Sequence, residues 1–142
     1  MLSLAPLHEL QELATALRQA DLPTGDLDAA GRRFFRAAEA GGGVIGYGGF
    51  EGSGNDQLLR SVVIAPASRG RGHGRALVDA LLAQARNDGA ARVWLMTTDA
   101  MDFFRHLGFA DAAREAAPSV VTQSLQFTTL CPASAKLLVK DI

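Results

Sequence analysis

The sequence predicts a single α/β (α+β) domain in which helices pack on a mixed β-sheet. Its 142 residues are the length of one ordinary domain, and segments with helical and strand periodicity alternate along the chain. No internal repeat, low-complexity tract or linker divides residues 1–142 into two parts. The hydrophobic fraction of 48% and the charged fraction of 20% are typical of a folded globular chain.

Two helices are predicted before the first strand. Leucine and alanine residues at helical spacing predict a helix over residues 7–20. After a turn, a second helix is predicted over residues 27–40, with Asp26 as its candidate N-cap. The three consecutive glycines at 41–43 are expected to end that helix.

A β-hairpin is predicted next. Strands are predicted over residues 44–50 and 57–65, and the Gly, Ser and Asn residues between them are typical of a turn. The second of these runs is rich in Leu, Val and Ile and gives the strongest strand signal in the chain.

Helices and strands alternate in the second half of the sequence. The pattern predicts, in order, a helix over residues 73–87, a buried strand over 92–97, a short helix over 100–106, a turn or short helix about Pro118 and a strand over 124–130. The apolar tail at 137–139 either closes the core of a monomer or pairs across a homodimer, and the sequence leaves both open.

Composition excludes several classes of function. The 14 basic and 15 acidic residues give a net charge of −1, so no broad nucleic-acid or membrane-surface field is expected. No apolar run approaches the ~20 residues that span a bilayer, and the N-terminus lacks the pattern of a signal peptide. One Cys and three His residues form no recognisable zinc motif. A cytoplasmic protein without a metal is therefore expected.

A glycine-rich turn, residues 69–75, lies between the strongest strand and the best-defined helix. Its sequence is Arg-Gly-Arg-Gly-His-Gly-Arg. Glycines let backbone N–H groups converge, and the unpaired N–H groups of a helix N-terminus attract anions. This placement favours a phosphate or pyrophosphate site over the alternative, a plain connection with solvated arginines. The spacing differs from the dinucleotide motif, and no Walker lysine is present.

Three segments in this order resemble the GCN5-related N-acetyltransferase (GNAT) superfamily. Arg69-x-x-Gly72-x-Gly74 matches its (Q/R)-x-x-G-x-(G/A) signature, residues 61–66 resemble the strand end that precedes it, and residues 103–109 resemble its F-Y-x-x-x-G-F element. The resemblance implies a mixed, mostly antiparallel sheet with helices on both faces. It also implies acetyl-CoA as cosubstrate and a small-molecule amine as acceptor.

The same resemblance implies which residues bind acetyl-CoA. The pyrophosphate would be held at the glycine-rich turn by Arg69, Gly70, Gly72, Gly74 and Arg75. Backbone groups of residues 62–64 (Val62, Val63 and Ile64) would pair with the pantetheine arm, with one N–H directed at the thioester carbonyl. Phe104 stands where many family members have a catalytic Tyr, and it is expected to pack beside the cofactor instead.

A narrower resemblance is to the branch of these enzymes associated with arsenic resistance. It rests on Leu58-Leu59-Arg60-Ser61-Val62, on Thr97-Thr98-Asp99-Ala100 and on residues 130–135, Leu-Cys-Pro-Ala-Ser-Ala. Its motifs do not define the substrate of that branch, and an amino-acid-like toxic or arsenic-related compound is one acceptor to be tested. A single cysteine argues against binding of the metalloid itself.

The catalytic residues are less well defined by the sequence. Candidate proton donors are Tyr47 and Cys131, although each also suits a packing role, and proton transfer to solvent is a further alternative. Glu51 is the leading candidate base, ahead of Asp26 and Asp99, although a carboxylate beside glycines is often a solvated turn residue.

Candidate acceptor-binding residues are Arg60, Asp26 and Ser134. A guanidinium at Arg60 suits an anionic group on the substrate, and its alternative role is surface solvation.

The leading hypothesis is an N-acetyltransferase that acts on the primary amine of a small molecule. One alternative is a protein N-acetyltransferase. Another is a catalytically weak CoA-binding regulatory module, which the absence of a Tyr at position 104 favours. A nucleic-acid binder is disfavoured by the neutral charge balance.

Overall fold

The strands and helices of the chain form one mixed sheet with helices on both sides. The computed structural model describes residues 2–22, 24–25, 27, 31–65, 68, 72–124, 127 and 135–142. In chain order the elements are β1 (Leu2–Pro6), α1 (Gln11–Gln19), β2 (Arg32–Glu39), β3 (Val44–Glu51), β4 (Asp56–Ile64), α2 (His73–Asn87), β5 (Arg92–Thr97), α3 (Met101–His106), β6 (Ala110–Ala112), α4 (Ser119–Thr122) and β7 (Lys136–Asp141).

The sheet has seven strands in the order β1-β2-β3-β4-β5-β7-β6. Neighbouring strands are antiparallel throughout, except for β4 and β5, which pair in parallel. The mixed, mostly antiparallel sheet and its single-domain α/β class are thereby confirmed.

Helix α2 covers one face of the sheet because its apolar residues recur at helical spacing. Its buried residues are Leu77, Val78, Leu81, Leu82 and Ala85. The glycines of β3 allow this helix to approach closely, since a Cβ on Gly48 would lie 2.5 Å from Leu81 Cδ1. Phe35, Phe50 and Leu95 complete the same core.

Helix α1 covers the opposite face over the first half of the sheet. Leu13 and Leu17, both fully buried, pack with Phe34, Tyr47 and Val63 in a second core. A third, smaller core lies under α4, where Val121 meets residues of β4, β5 and β7. Both smaller cores lie on the side of the sheet opposite α2.

The prediction of a helix over residues 27–40 is wrong for the part that the structure describes, because Arg32–Glu39 is β2. Phe34 packs under α1, while Phe35 and Ala37 pack under α2. This alternation has the two-residue period of a strand with both faces covered. Strand β1 was not predicted, since five residues carry too little periodicity.

The other predicted elements are confirmed where the structure describes them. The hairpin is β3 and β4, the helix over 73–87 is α2, the strand over 92–97 is β5, and the two short helices are α3 and α4. The first helix is confirmed as α1, although it begins four residues later than predicted, at Gln11. The exception is the strand predicted over 124–130, because the two residues described there, Ser124 and Phe127, lie in no strand and the Phe127 N–H donates to the Ser124 hydroxyl instead. Residues 125–126 and 128–130 lie outside the described residues. The apolar tail belongs to β7, which pairs with β5 and β6 of the same chain.

Strands β4 and β5 pair over a short stretch and then separate. Asp56, Gln57 and Leu58 pair with Arg92, Val93 and Trp94, and within the described residues β4 makes no further pair with β5. β5 itself stays paired with β7 along its whole length. The remainder of β4 as far as residue 63 therefore has an open edge that β5 does not cover.

The Asp56 side chain links β4 to β5 at the first residue pair of their parallel pairing. Its carboxylate accepts hydrogen bonds from Arg92 Nε at 2.8 Å and from the indole N–H of Trp94 at 2.9 Å. The hydrogen bond from Arg92 lowers the pKa of the Asp56 carboxyl below its usual value, and the one from Trp94 acts in the same direction.

We expect Asp56→Ala to lower the free energy of unfolding by about 1–3 kcal/mol, because Trp94 is left with an unsatisfied N–H. The lowered pKa means that the contribution of Asp56 is full above its unfolded-state pKa and is lost as pH falls through the folded-state pKa. Urea unfolding as a function of pH checks both effects. Because Asp56→Ala has no such carboxyl, its free energy of unfolding should fall less than that of the wild type as the pH is lowered.

Asp79→Ala is the matched control. Asp79 is an exposed carboxylate on α2, and its removal should change stability by less than about 0.5 kcal/mol. Equal losses for the two variants would contradict the role given to Asp56.

Candidate active site

A groove follows the open edge of β4 and continues to the N-terminus of α2. Its first cavity, about 270 Å³, lies between β4, β5 and the residues after α1. Its second cavity, about 440 Å³, lies between the end of β4, α2 and α3. Both are lined by Val62, Ala100 and Phe104, so they form one continuous depression.

The N-terminus of α2 opens into the second cavity. Gly72 occupies the N-cap position with φ +75, a left-handed conformation that glycine adopts without strain. Among the described residues no side chain caps this helix, and its first turn holds no acidic residue. The leading N–H groups, those of His73, Gly74 and Arg75, are therefore available to an anion.

Two aromatic residues border the same cavity. Phe103, at 39% exposed, lies against Gly74, where a Cβ would come within 3.1 Å of the Phe103 ring. Phe104 is buried and makes edge-to-face contacts with Phe103 and Phe109. Phe104 thus forms part of the groove wall.

The three strand residues predicted to hold pantetheine lie at the groove. Val62 and Ile64 line it, whereas the Val63 side chain packs under α1. The backbone groups of Val62 and Val63 on the β5 side belong to the open part of β4. An extended ligand could hydrogen-bond there as an added strand.

The other predicted cofactor residues divide into two groups. The structure places Gly72, Gly74 and Arg75 at the first turn of α2. Arg69 and Gly70 lie outside the described residues, as do three candidates for the acceptor end, Asp26, Cys131 and Ser134.

A buried ion pair lies beneath the first cavity. Arg60 Nη1 donates to Glu51 Oε1 at 2.6 Å, and Arg32 Nη2 lies 3.6 Å from the other Glu51 oxygen. The Arg60 side chain is 0% exposed and that of Glu51 is 7% exposed. The Arg60 guanidinium also lies over the Phe34 ring, 5.6 Å from its centroid.

This pairing determines what Arg60 and Glu51 can contact in the described conformation. Arg60 lines the first cavity, but its guanidinium is turned inward to Glu51. Glu51 is not among the described residues that line the cavity. The two charged groups therefore contact each other beneath the groove and do not face solvent.

Ser61, at the surface of this cavity, was not singled out by the sequence. It lies at a β-bulge, where the register of β3 and β4 shifts, and its φ is +59. Its hydroxyl accepts a hydrogen bond from Arg60 Nε at 3.1 Å. A left-handed backbone conformation at a serine within a strand cannot be predicted from residue types, so only the tertiary structure shows it.

Asp99 is the carboxylate that lines the first cavity, among the residues that the structure describes. It is exposed and lies just before α3. Ala100 occupies the N-cap position of α3, and none of the described side chains caps this helix, while the Thr97 hydroxyl accepts from the Ala100 N–H at 3.1 Å. Asp99 thus supplies an acidic residue to the wall of the first cavity.

Tyr47, the candidate proton donor, lies under α1. Its hydroxyl donates to Glu12 Oε2 at 2.8 Å, and Glu12 also accepts from Arg36 at 2.6 Å. Burial raises the pKa of Tyr47 to about 12, and the hydrogen bond to Glu12 adds to that rise. Like Glu51, Tyr47 is not among the described residues that line the first cavity.

Comparison with known proteins gives the family. A protein-family model described as an acetyltransferase (GNAT) domain matches residues 30–111, which is more than half of the chain. The chain belongs to the GNAT acetyltransferases. The superfamily predicted from residues 61–74 and 103–109 is thereby confirmed, whereas the arsenic-associated branch stays a prediction.

One curated relative of this GNAT chain is N-alpha-acetyltransferase 80 of Mus musculus. The two are 46% identical over 52 residues, which are 37% of this chain and 17% of that protein. The match thus covers under a fifth of the relative's length.

Solved structures of similar fold include proteins with coenzyme A bound. N-acetylglutamate synthase from Neisseria gonorrhoeae, in complex with coenzyme A and N-acetyl-glutamate, superposes with a TM-score of 0.79 at 16% identity, covering 99% of this chain and 35% of the synthase. Rv2747 from Mycobacterium tuberculosis, in complex with CoA and NLQ, gives a TM-score of 0.68 at 20% identity, covering 97% of this chain and 99% of Rv2747.

A third similar structure is that of the spermidine/spermine N-acetyltransferase SpeG from Vibrio cholerae, solved in mutant forms. It gives a TM-score of 0.66 at 14% identity and covers 99% of this chain and 95% of SpeG. At such identities these likenesses show the GNAT fold of this chain.

Two further observations bear on the class of site. Within the described ranges, no group of three or more His, Cys, Asp or Glu residues could hold a metal ion. None of the helices that the structure describes is long and apolar enough to cross a membrane.

We expect Tyr47→Phe to lower the free energy of unfolding by about 0.5–1.5 kcal/mol through loss of the bond to Glu12, with kcat for acetyl transfer unchanged. Denaturant unfolding and steady-state kinetics measure the two quantities. Glu12→Gln is the matched control, since it weakens the same contact and keeps the phenol. A fall in kcat for Tyr47→Phe alone would instead establish Tyr47 as the proton donor.

Proposed function

We propose that this GNAT domain transfers the acetyl group of acetyl-CoA to the primary amine of a small molecule. The observation that carries the proposal is the single groove that connects the free N-terminus of α2 with the open edge of β4. The N-terminus of α2, the open edge of β4 and the first cavity follow one another along this groove. This order matches the pyrophosphate, the pantetheine arm and the thioester of one extended ligand.

The N-terminus of α2 would bind the pyrophosphate of acetyl-CoA. The first-turn amides of Gly74 and Arg75 and the helix dipole favour negative charge. Arg75, which is exposed, adds a guanidinium for a phosphate oxygen. Arg69 and Gly70 remain proposed members of the same site, on the resemblance of their motif alone.

The open edge of β4 would then carry the pantetheine arm toward the first cavity. Backbone groups of Val62 and Val63 on that edge offer hydrogen bonds to the amides of the arm, and Ile64, which lines the groove, is a further proposed contact of the arm. The thioester then lies near the β-bulge. A backbone N–H at this bulge would stabilise the charge that develops on the carbonyl oxygen.

The acceptor amine would enter the first cavity beside Asp99. A primary amine is protonated at neutral pH, and a facing carboxylate attracts it and can take up its proton. This geometry favours Asp99 over Glu51 as the group that meets the amine, because the Glu51 carboxylate is buried against Arg60. Glu51 and Arg60 would act instead by holding the cavity floor in place.

The size of the cavity favours a small acceptor. About 270 Å³ is at the lower end for small-molecule pockets. Amino-acid-like compounds fit this size, and the arsenic-associated resemblance adds arsenic-bearing amino acids to the substrates to be tested. Asp26, Cys131 and Ser134 remain proposed contacts at the acceptor end. A cytoplasmic location and a monomeric or homodimeric state remain predictions.

One observation favours a second candidate function. The matched relative is named N-alpha-acetyltransferase 80, so a protein N-terminus is an alternative acceptor for this chain. A peptide would have to lie along the face between α1 and α4, above the middle of β4. Comparing turnover of short peptides with turnover of free amino acids separates the two acceptors.

We expect acetyl-CoA and CoA to raise the melting temperature by several degrees, and ATP at the same concentration to leave it unchanged. A ligand at about 100 times its dissociation constant stabilises by about 2.7 kcal/mol. Thermal unfolding with the three ligands in parallel makes the comparison. Equal shifts with ATP would show a general phosphate site, and no shift with acetyl-CoA would refute the proposed cosubstrate.

We expect Asp99→Asn to lower kcat/KM for a cationic amine about tenfold or more, because the variant loses the charge that faces the ammonium group. Release of free thiol from acetyl-CoA measures the rate. Asp102→Asn is the matched control, since Asp102 lies one helical turn away on α3 and pairs with Arg105. Equal kinetics for wild type and Asp99→Asn would exclude the role of Asp99.

A further inference from the structure

We propose that the Ser61 hydroxyl relays a proton from the attacking amine to the departing sulfur of acetyl-CoA. In this proposal the buried Arg60–Glu51 pair positions the hydroxyl. The inference rests on the proposed acetyl transfer and concerns the step for which the chain lacks the usual tyrosine. Three features of Ser61 support it, namely its backbone conformation, its hydrogen bond and its place in the cavity.

The backbone conformation of Ser61 is unusual for its position. Its φ of +59 lies in the left-handed region, which residues other than glycine rarely adopt. Asp21, the other such non-glycine residue in the described part of the chain, follows α1 in an exposed turn. Ser61 is within a central strand, where its conformation is held by the bulge between β3 and β4. Such conformations concentrate at functional sites.

The hydrogen bond from Arg60 fixes how the serine hydroxyl can be used. A guanidinium only donates, so Ser61 Oγ must accept from Arg60 Nε across their 3.1 Å separation. A serine oxygen has two lone pairs and one proton. One lone pair is therefore occupied, while the second lone pair and the proton remain for other partners.

Arg60 itself is held in place by charge and burial. Its side chain is 0% exposed and its Nη1 lies 2.6 Å from Glu51. Removing one partner of such a pair leaves a buried charge without compensation. The Arg60–Glu51 pair thus restricts the guanidinium to one orientation, and through it the Ser61 oxygen.

The location of Ser61 matches the reacting groups. It lines the first cavity together with Val62, whose backbone lies on the open edge of β4. Phe104, in the position of the usual tyrosine, also lines this cavity and has no proton to donate. Thr97 is the second hydroxyl among the described lining residues, and its oxygen accepts from the Ala100 N–H.

The proton relay through Ser61 conserves atoms and charge. The neutral amine nitrogen bonds to the thioester carbon, and a zwitterionic tetrahedral adduct forms. As the C–S bond breaks, the electron pair of that bond leaves with sulfur. The nitrogen gives one proton to the second lone pair of Ser61 Oγ, and Ser61 gives its own proton to the sulfur. Amide and free CoA thiol result, and Ser61 ends as a neutral hydroxyl.

The test uses Ser61→Gly in the full chain. Glycine adopts a positive φ freely, so the substitution removes the hydroxyl while keeping the bulge. We expect kcat to fall about 100-fold or more, as for loss of a positioned proton-transfer group. The stabilisation by acetyl-CoA should stay as in the wild type, and the solvent deuterium isotope effect on kcat should change. Ser61→Cys, which retains a transferable proton, should recover part of the rate.

Several results would overturn the proposal. A Ser61→Gly variant with kcat within about twofold of wild type would do so. A large loss in Thr97→Val with Ser61→Gly unaffected would assign the relay to Thr97 instead. The proposed function is judged separately, by turnover of the wild-type protein and by its acetyl-CoA-dependent melting shift.

The positioning role of Glu51 has its own test. Glu51→Gln should lower kcat in the wild-type background and have little further effect in the Ser61→Gly background, because both changes interrupt one relay. The KM for acetyl-CoA should not change. Additive losses in the double variant would show that Glu51 acts independently of Ser61.

Discussion

The separation of β4 from β5 is the constraint on which the rest of the site depends. The two strands pair at Asp56–Leu58 and Arg92–Trp94, where one carboxylate receives both Arg92 and Trp94. Beyond that point β5 follows β7, to which it is paired throughout. A strand edge without a partner strand usually costs stability and invites aggregation. Here that edge lies in a groove between α2, α3 and the residues after α1, where an extended ligand can pair with it.

The position of α2 relative to that open edge follows from the packing of β3. Glycine at position 48 lets Leu81 approach within contact of the strand, so the helix lies close over β3 and β4. The N-terminus of α2 consequently comes beside Ile64 at the end of β4, and both Ile64 and Gly72 line one cavity. Packing between apolar side chains thereby brings the N-terminus of α2 and the open edge of β4 to one cavity.

Buried charge is concentrated at the other end of the groove. Arg60 and Glu51 are nearly inaccessible to water, and such pairs seldom stabilise a fold more than apolar residues of equal size would. The presence of this buried pair is better explained by its effect on the orientation of neighbouring groups than by a gain in the free energy of unfolding. Arg60 also donates to the Ser61 hydroxyl at the bulge of β4. The hydrogen bond from Tyr47 to Glu12 likewise has a structural role, since it joins β3 to α1 away from the cavity.

The sequence by itself determined the fold class, the hairpin and α2, because these depend on local periodicity, and its glycines at the strand-to-helix junction marked a candidate anion site. It did not determine β2, since Arg32–Glu39 is a strand covered on both faces and its short-range pattern also suits a helix. Only the tertiary structure decided that Glu51 and Arg60 pair inward, that Asp99 lines the cavity and that Ser61 takes a left-handed conformation. Those properties arise from contacts between strands that are distant in sequence, and residue type alone does not encode which side chains a register brings together.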